Sequence, residues 1–131
     1  MDTTPEYIKM CEKAGEIQAI DKEGCLHEWF ACPECGEIAN EDDTYYWADC
    51  GDDKELIWLP RQDQLQEIWA EHEYGNERAN NWVTFALDQF SYWVLNEDVG
   101  FSTLDASFEQ LWLAFVMKEK HGKTWTGEVW E

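Results

Sequence analysis

Cys32-Pro33-Glu34-Cys35-Gly36 is the stretch of this 131-residue chain whose residue types and spacing could do chemistry. Two cysteines three positions apart, closed by a glycine, form a tight turn that aims both sulfurs at one point, the half-site of a zinc knuckle. Cys50 follows just before Gly51, on the far side of an expected hairpin, and Cys25 and His27 lie upstream of the pair. Asp53, three residues past Cys50, is a weaker oxygen donor. The spacing predicts a structural zinc site of Cys32, Cys35, Cys50 and His27, with Cys25 as the alternative fourth ligand. Four protein ligands leave no open position for a reactive water, so the metal would pin a weak hairpin. The competing readings are a turn carrying unmetallated thiols and a redox pair. The redox reading is disfavoured because the pair does not open a helix after a strand.

Catalytic patterns are not found. The sequence has no Gly-x-Ser-x-Gly, Gly-x-Gly-x-x-Gly, phosphate loop or His-Glu-x-x-His. Of the three histidines, His72 lies between Glu71 and Glu73 on an expected helix, and His121 falls at an expected helix end. In so acidic a chain a histidine beside carboxylates is close to a chance pairing. The chain is therefore not expected to be an enzyme.

Charge narrows the partners. There are 29 acidic residues against 9 basic ones, a formal net charge of −20. Binding to phosphate backbones or anionic lipid needs clustered Lys and Arg, so neither direct nucleic-acid binding nor membrane binding is expected. The segment 21–55 is the most lopsided, with Lys22 and Lys54 as its bases. Its carboxylates Glu41, Asp42, Asp43, Asp49, Asp52, Asp53 and Glu55 are the candidate contacts for a basic partner. The simpler reading is that they only keep a tryptophan-rich domain soluble. The opening MDTTPEYIKM shows no basic region leading into an apolar run, and the longest apolar run, Leu111 to Met117, is far short of the ~20 residues that span a bilayer. A reducing cytosol is the expected compartment, and five cysteines there are not a disulfide framework.

The elements that must position these residues follow from periodicity. One domain, 1–131, is expected, with a cysteine-bearing β insert at about 24–53. Residues 4–19 predict a helix, with Thr4 as N-cap, Pro5 in the first turn and Ile8, Cys11, Ala14 and Ile17 on one stripe. Cys11 on that stripe reads as a small core residue. Leu26–Ala31, Thr44–Ala48 and Leu56–Leu59 predict short strands, with Asn40–Asp43 and Gly51–Asp53 as turns. After Pro60 a helix carries Leu65, Ile68, Trp69 and His72 to the break at Gly75-Asn76. A second, from about Glu77 to Leu95, places Ala79, Trp82, Val83, Ala86, Phe90, Trp93 and Val94 at helical spacing. Ser102 predicts the N-cap of a third, with Leu104, Phe108, Leu111, Trp112, Phe115 and Val116 inward and Gly122 as its stop. Trp125–Trp130 reads as a last short strand or a packed tail. The fold class is thus α+β: a small antiparallel sheet at about 20–60, an N-terminal helix and about three C-terminal helices, with room for a zinc-ribbon-like insert. Tryptophans 29, 47 and 58 on the sheet could stack a small ligand, but core packing is the better reading.

Three stretches are similar to one another's counterparts in a known group. PEYIKMCEKA (5–14), WLPRQDQLQE (58–67) and EQLWLAFVMK (109–118) resemble small accessory proteins of phages and prophages of Gram-positive bacteria. The resemblance implies a small α/β sandwich and no particular chemistry. It makes the leading expectation an acidic accessory protein that binds and inhibits or modulates a basic host protein such as a defence nuclease, in the manner of an anti-CRISPR or a nucleic-acid mimic. The alternatives are a zinc-stabilised structural or assembly module without a target, and a protein that sequesters a small nucleotide.

Overall fold

The computed structural model describes residues 1–20, 28–40, 56–75 and 81–131. The fold is α+β: helices α1 (Pro5–Lys13) and α2 (Gly15–Gln18), strands β1 (Trp29–Ala31), β2 (Ile38–Asn40) and β3 (Ile57–Trp58), then helices α3 (Gln62–Tyr74), α4 (Trp82–Asn96) and α5 (Phe108–His121). The chain divides into two compact units, Thr3–Pro60 and Met1–Asp2 with Arg61–Glu131. No helix among the described residues is long and apolar enough to cross a membrane.

In the 3–60 unit, Thr4 starts α1 as its side chain accepts from the Tyr7 N–H at 3.3 Å. The expected 4–19 helix breaks at Ala14, which has φ −87° and ψ 69°. A strict repeat of three drifts around an α-helix by about 60° per step, so Ile8 and Ile17 would face opposite sides of an unbroken helix. The break lets Cys11, Ala14 and Ile17 all be buried, and Ile8 is half-buried. The sheet order is β2-β1-β3, antiparallel throughout, with Phe30 opposite both Ala39 and Trp58. Strand β2 falls at the edge of the turn expected near Asn40, and β1 and β3 lie inside the segments expected to be strands. Thr44–Ala48 lies outside the described residues.

Strand β3 is two residues long, and Gln18 completes its hydrogen bonding. The Gln18 side chain donates to the Trp58 carbonyl at 2.9 Å and accepts from the Trp58 N–H at 2.8 Å, as a neighbouring strand would. Tyr7 ties α1 to the end of the strand by donating to the Pro60 carbonyl at 2.6 Å.

In the 61–131 unit, α5 is buried from Gln110 to Met117 without interruption, and α3 and α4 both pack on it. Phe115 is the hub. Its ring lies 6.0 Å from Trp69, 5.3 Å from Trp93, 5.7 Å from Phe90 and 5.6 Å from Trp112, while Phe90 stacks on Trp112 at 4.3 Å. The expectation that Ser102 caps α5 is corrected: Ser107 is the N-cap, accepting from the Gln110 N–H at 3.1 Å and donating to Asp2. Asp2 fixes the Ser107 hydroxyl, and the helix starts five residues later than a cap at Ser102 would place it. Leu104 then precedes the helix and is 94% exposed, and Phe108 in the first turn is 60% exposed, so neither is inward. Likewise His72 and Val83 are exposed, and the buried stripe of α4 narrows to Ala86, Phe90 and Trp93. Ala79 lies outside the described residues. Gly122, left-handed at φ 66°, stops α5 as its sequence predicts.

The tail turns back on itself. Thr124 and Glu131 exchange two backbone hydrogen bonds, and Trp125 and Trp130 pair with rings 5.0 Å apart. Gly100 holds this tail closely. Its φ is +91°, and a Cβ there would stand 2.5 Å from the Trp125 carbonyl oxygen and 2.7 Å from the Thr124 methyl. Gly100→Ala is therefore expected to destabilise the protein by at least ~1–3 kcal/mol through backbone conformation alone, with the clash added to it. Urea unfolding followed by tryptophan fluorescence measures the loss; an unchanged midpoint would contradict the close approach.

Candidate metal half-site and acidic surface

Strands β1 and β2 converge on the cysteine pair. Register runs from Trp29 opposite Asn40 to Ala31 opposite Ile38, so Cys32 to Glu37 form the connecting turn. The Cys32 N–H donates to the Glu37 carbonyl and the Gly36 N–H to the Cys32 carbonyl, both at 2.9 Å. Pro33 presets its own φ, and Gly36 takes φ +74°, a value a side chain disfavours. Both cysteines carry thiols; Cys32 is buried and Cys35 exposed. The pair sits between two strands rather than at a helix N-terminus, where a low-pKa redox cysteine is usually placed. A tetrahedral thiolate site needs two further donors beyond a pair such as this.

The remaining expected ligands, Cys25, His27 and Cys50, lie outside the described residues, as does Asp53. Among the described residues no group of three or more His, Cys, Asp or Glu side chains is placed to hold a metal. The expected partner contacts Glu41, Asp42, Asp43, Asp49, Asp52, Asp53 and Glu55 also fall outside the described residues, as does Trp47. Cys11 is fully buried on α1, as a core residue.

One buried carboxylate supports the sheet. Glu28, 2% exposed, accepts from the Trp58 indole N–H at 2.5 Å, across from β1 to β3. A charge at that depth is kept only with donors of its own. Trp58 is thus core, with its polar edge committed, and Trp29 is half-buried.

The 61–131 unit holds an acidic cluster that spacing does not reveal. Partial burial pushes the Glu119 carboxyl above its ordinary 4.5, and the negative charges of Glu73 and Glu97 push it further. His72 and Lys118 pull in the opposite direction without cancelling the rise. Glu73 ends α3, Glu97 is the C-cap of α4 and Glu119 lies in the last turns of α5. The helix ends bring together carboxylates more than twenty positions apart. No local pattern marks them, because their proximity is a product of helix packing. The exposed His72, flanked by glutamates in sequence, takes part here as a neighbouring charge.

Comparison of the chain with protein-family models, with curated proteins and with solved structures returned no match.

A carboxyl whose pKa is raised by folding weakens the fold as it ionises. Stability is therefore lost as pH rises from about 4.5 through the raised value, and Glu119→Gln removes that loss. The variant is expected to melt higher than the wild type at pH 7 and together with it below pH ~3, where Glu119 is protonated in both folded and unfolded chains. Equal melting temperatures at both pH values would contradict the rise that burial and the neighbouring carboxylates impose on Glu119.

Proposed function

We propose that the protein is an acidic accessory protein of phage type that binds and inhibits or modulates a basic host protein, such as a defence nuclease, inside the host cell. Its carboxylates would occupy a channel built for nucleic-acid phosphates. Duplex DNA presents one charge per ~1.7 Å, and a folded shell of carboxylates can offer a similar field to Lys and Arg. The observation that carries this reading is the gathering of Glu73, Glu97 and Glu119 from three helices, where partial burial and then the charges of Glu73 and Glu97 push the Glu119 carboxyl up. Solubility alone would be served as well by carboxylates spread apart. The segment 41–55 adds the densest run of acids in the sequence. In this reading Glu41, Asp42, Asp43, Asp49, Asp52, Asp53 and Glu55 contribute contacts, steering speeds association, and no bond is made or broken by the protein.

The protein is expected to inhibit at least one member of a panel of bacterial defence nucleases, with inhibition falling as NaCl rises and weakened by the triple change Glu41→Ala, Asp42→Ala and Asp43→Ala. Inhibition indifferent to both salt and the triple change would contradict mimicry, as would turnover of a substrate by the protein itself.

The Cys32–Glu37 turn favours a further element of the same reading, a structural zinc. Cys32, Cys35 and Cys50 would bind it with His27, or with Cys25 in its place, and it would join the β1–β2 turn to the acidic segment. Elemental analysis of protein purified without chelator should give about one zinc per chain, reduced by Cys35→Ser. A metal-free chain that is fully folded would remove the zinc and leave the binding proposal standing. Zinc with no inhibitory target anywhere in the panel would favour a zinc-stabilised assembly module instead.

A further inference from the structure

Helix α4 has large apolar residues all round, yet the fold covers only one side of it. Its buried stripe is Ala86, Phe90 and Trp93, while Val83, Phe85, Leu87, Tyr92 and Leu95 are exposed, the last two at 62% and 78%. A helix with apolar residues on every side is ordinarily covered on every side. In a chain of net charge −20, the fifteen residues of α4 carry a single charged side chain, Asp88.

We propose that the outward face of α4 is the contact through which two copies of this chain pair, helix against antiparallel helix. The pattern on that face is complementary to itself. At 100° per residue, Val83, Thr84, Leu87, Ser91, Val94 and Leu95 share one side. A two-fold axis passing beside residue 89 sets Leu87 of one copy against Ser91 of the other, Val83 against Leu95, and Thr84 against Val94. Large side chains thus meet small ones at the centre, where helices approach most closely. An isologous contact needs this relation, because the same patch serves both sides.

Charge also favours a second copy. Taking whole large side chains at ~150–250 Å², the exposed parts of Val83, Leu87 and Leu95 amount to roughly 300 Å² per copy on this side. Thr84, Ser91 and Val94 add to it, and the contact falls short of the ~600 Å² per partner of stable interfaces, in the range of weak, reversible pairs. A basic partner would be held by carboxylates, and this face offers one. For two copies of so acidic a chain, the face poorest in charge is where approach costs least. The remaining cost is the pair of Asp88 side chains, which the two-fold axis brings near each other.

The interaction has a signature opposite to that of binding a basic partner: salt strengthens it, because the copies repel. Sedimentation velocity of the full chain, from micromolar to about 100 µM protein, at about 50 mM and about 500 mM NaCl, should show a species of twice the 15.5 kDa chain mass that is more populated at high salt. Leu87→Glu and Ser91→Glu, both on exposed positions, should each weaken pairing by at least ~10-fold with unchanged circular dichroism. Asp88→Asn should tighten it several-fold. A chain that stays monomeric throughout overturns the proposal and leaves the face to another occupant. A dimer that survives both glutamate changes overturns it equally, since another face would then be responsible.

Discussion

Repulsion among 29 carboxylates, set against burial of aromatic rings, governs this protein. Like charges distributed over a small domain favour expansion, and only non-electrostatic cohesion opposes it. The 61–131 unit supplies that cohesion at Phe115, which touches four other aromatic rings, three of them tryptophans and the fourth, Phe90, stacked on a tryptophan. The tryptophans contribute area more than hydrogen bonding. Among the described residues the buried indole N–H groups of Trp69, Trp93 and Trp112 make no hydrogen bond, each a cost of about 1–3 kcal/mol that ring burial must exceed.

The same balance explains where carboxylates are allowed inside. Asp2 and Glu28 are the buried acids among the described residues, and each meets a donor: the Ser107 hydroxyl and the Trp58 indole N–H. Each also does structural work. Asp2 orients the serine that starts α5, and Glu28 fixes a tryptophan between two short strands. The sheet relies on such side-chain substitutes for backbone partners. Three strands of two or three residues form a weak ladder, so Gln18 supplies Trp58 with the donor and acceptor that a fourth strand would have given. A metal at the Cys32–Cys35 turn would reinforce the other end of the same small sheet.

Much of the fold was legible because its signals are local. Thr4 and Pro5 begin α1, Gly122 ends α5, and the apolar spacing within 62–74 and 110–117 follows the buried faces of α3 and α5. Signals with two readings misled. Ser102 ahead of an apolar stripe reads as an N-cap, but Ser107 holds the capping position because Asp2, 105 positions away, engages its hydroxyl. The period of three through Ile17 reads as one helix, yet only a break at Ala14 lets its residues share a core. Strand β2 carries one β-branched residue, Ile38, and owes its existence to pairing with β1. The cysteine turn was legible as a unit, since proline, glycine and spacing all act within six residues. The cluster of Glu73, Glu97 and Glu119 was not, because nothing in sequence records which helix ends will meet.

The balance of repulsion against aromatic burial is tested most directly by the melting temperature as a function of salt. At a protein concentration where sedimentation shows a monomer, raising NaCl from about 20 mM to about 500 mM screens the carboxylates over a shrinking Debye length and should raise the melting temperature steadily. A melting temperature that stays level or falls over that range would show that charge repulsion is not what the aromatic core is holding against.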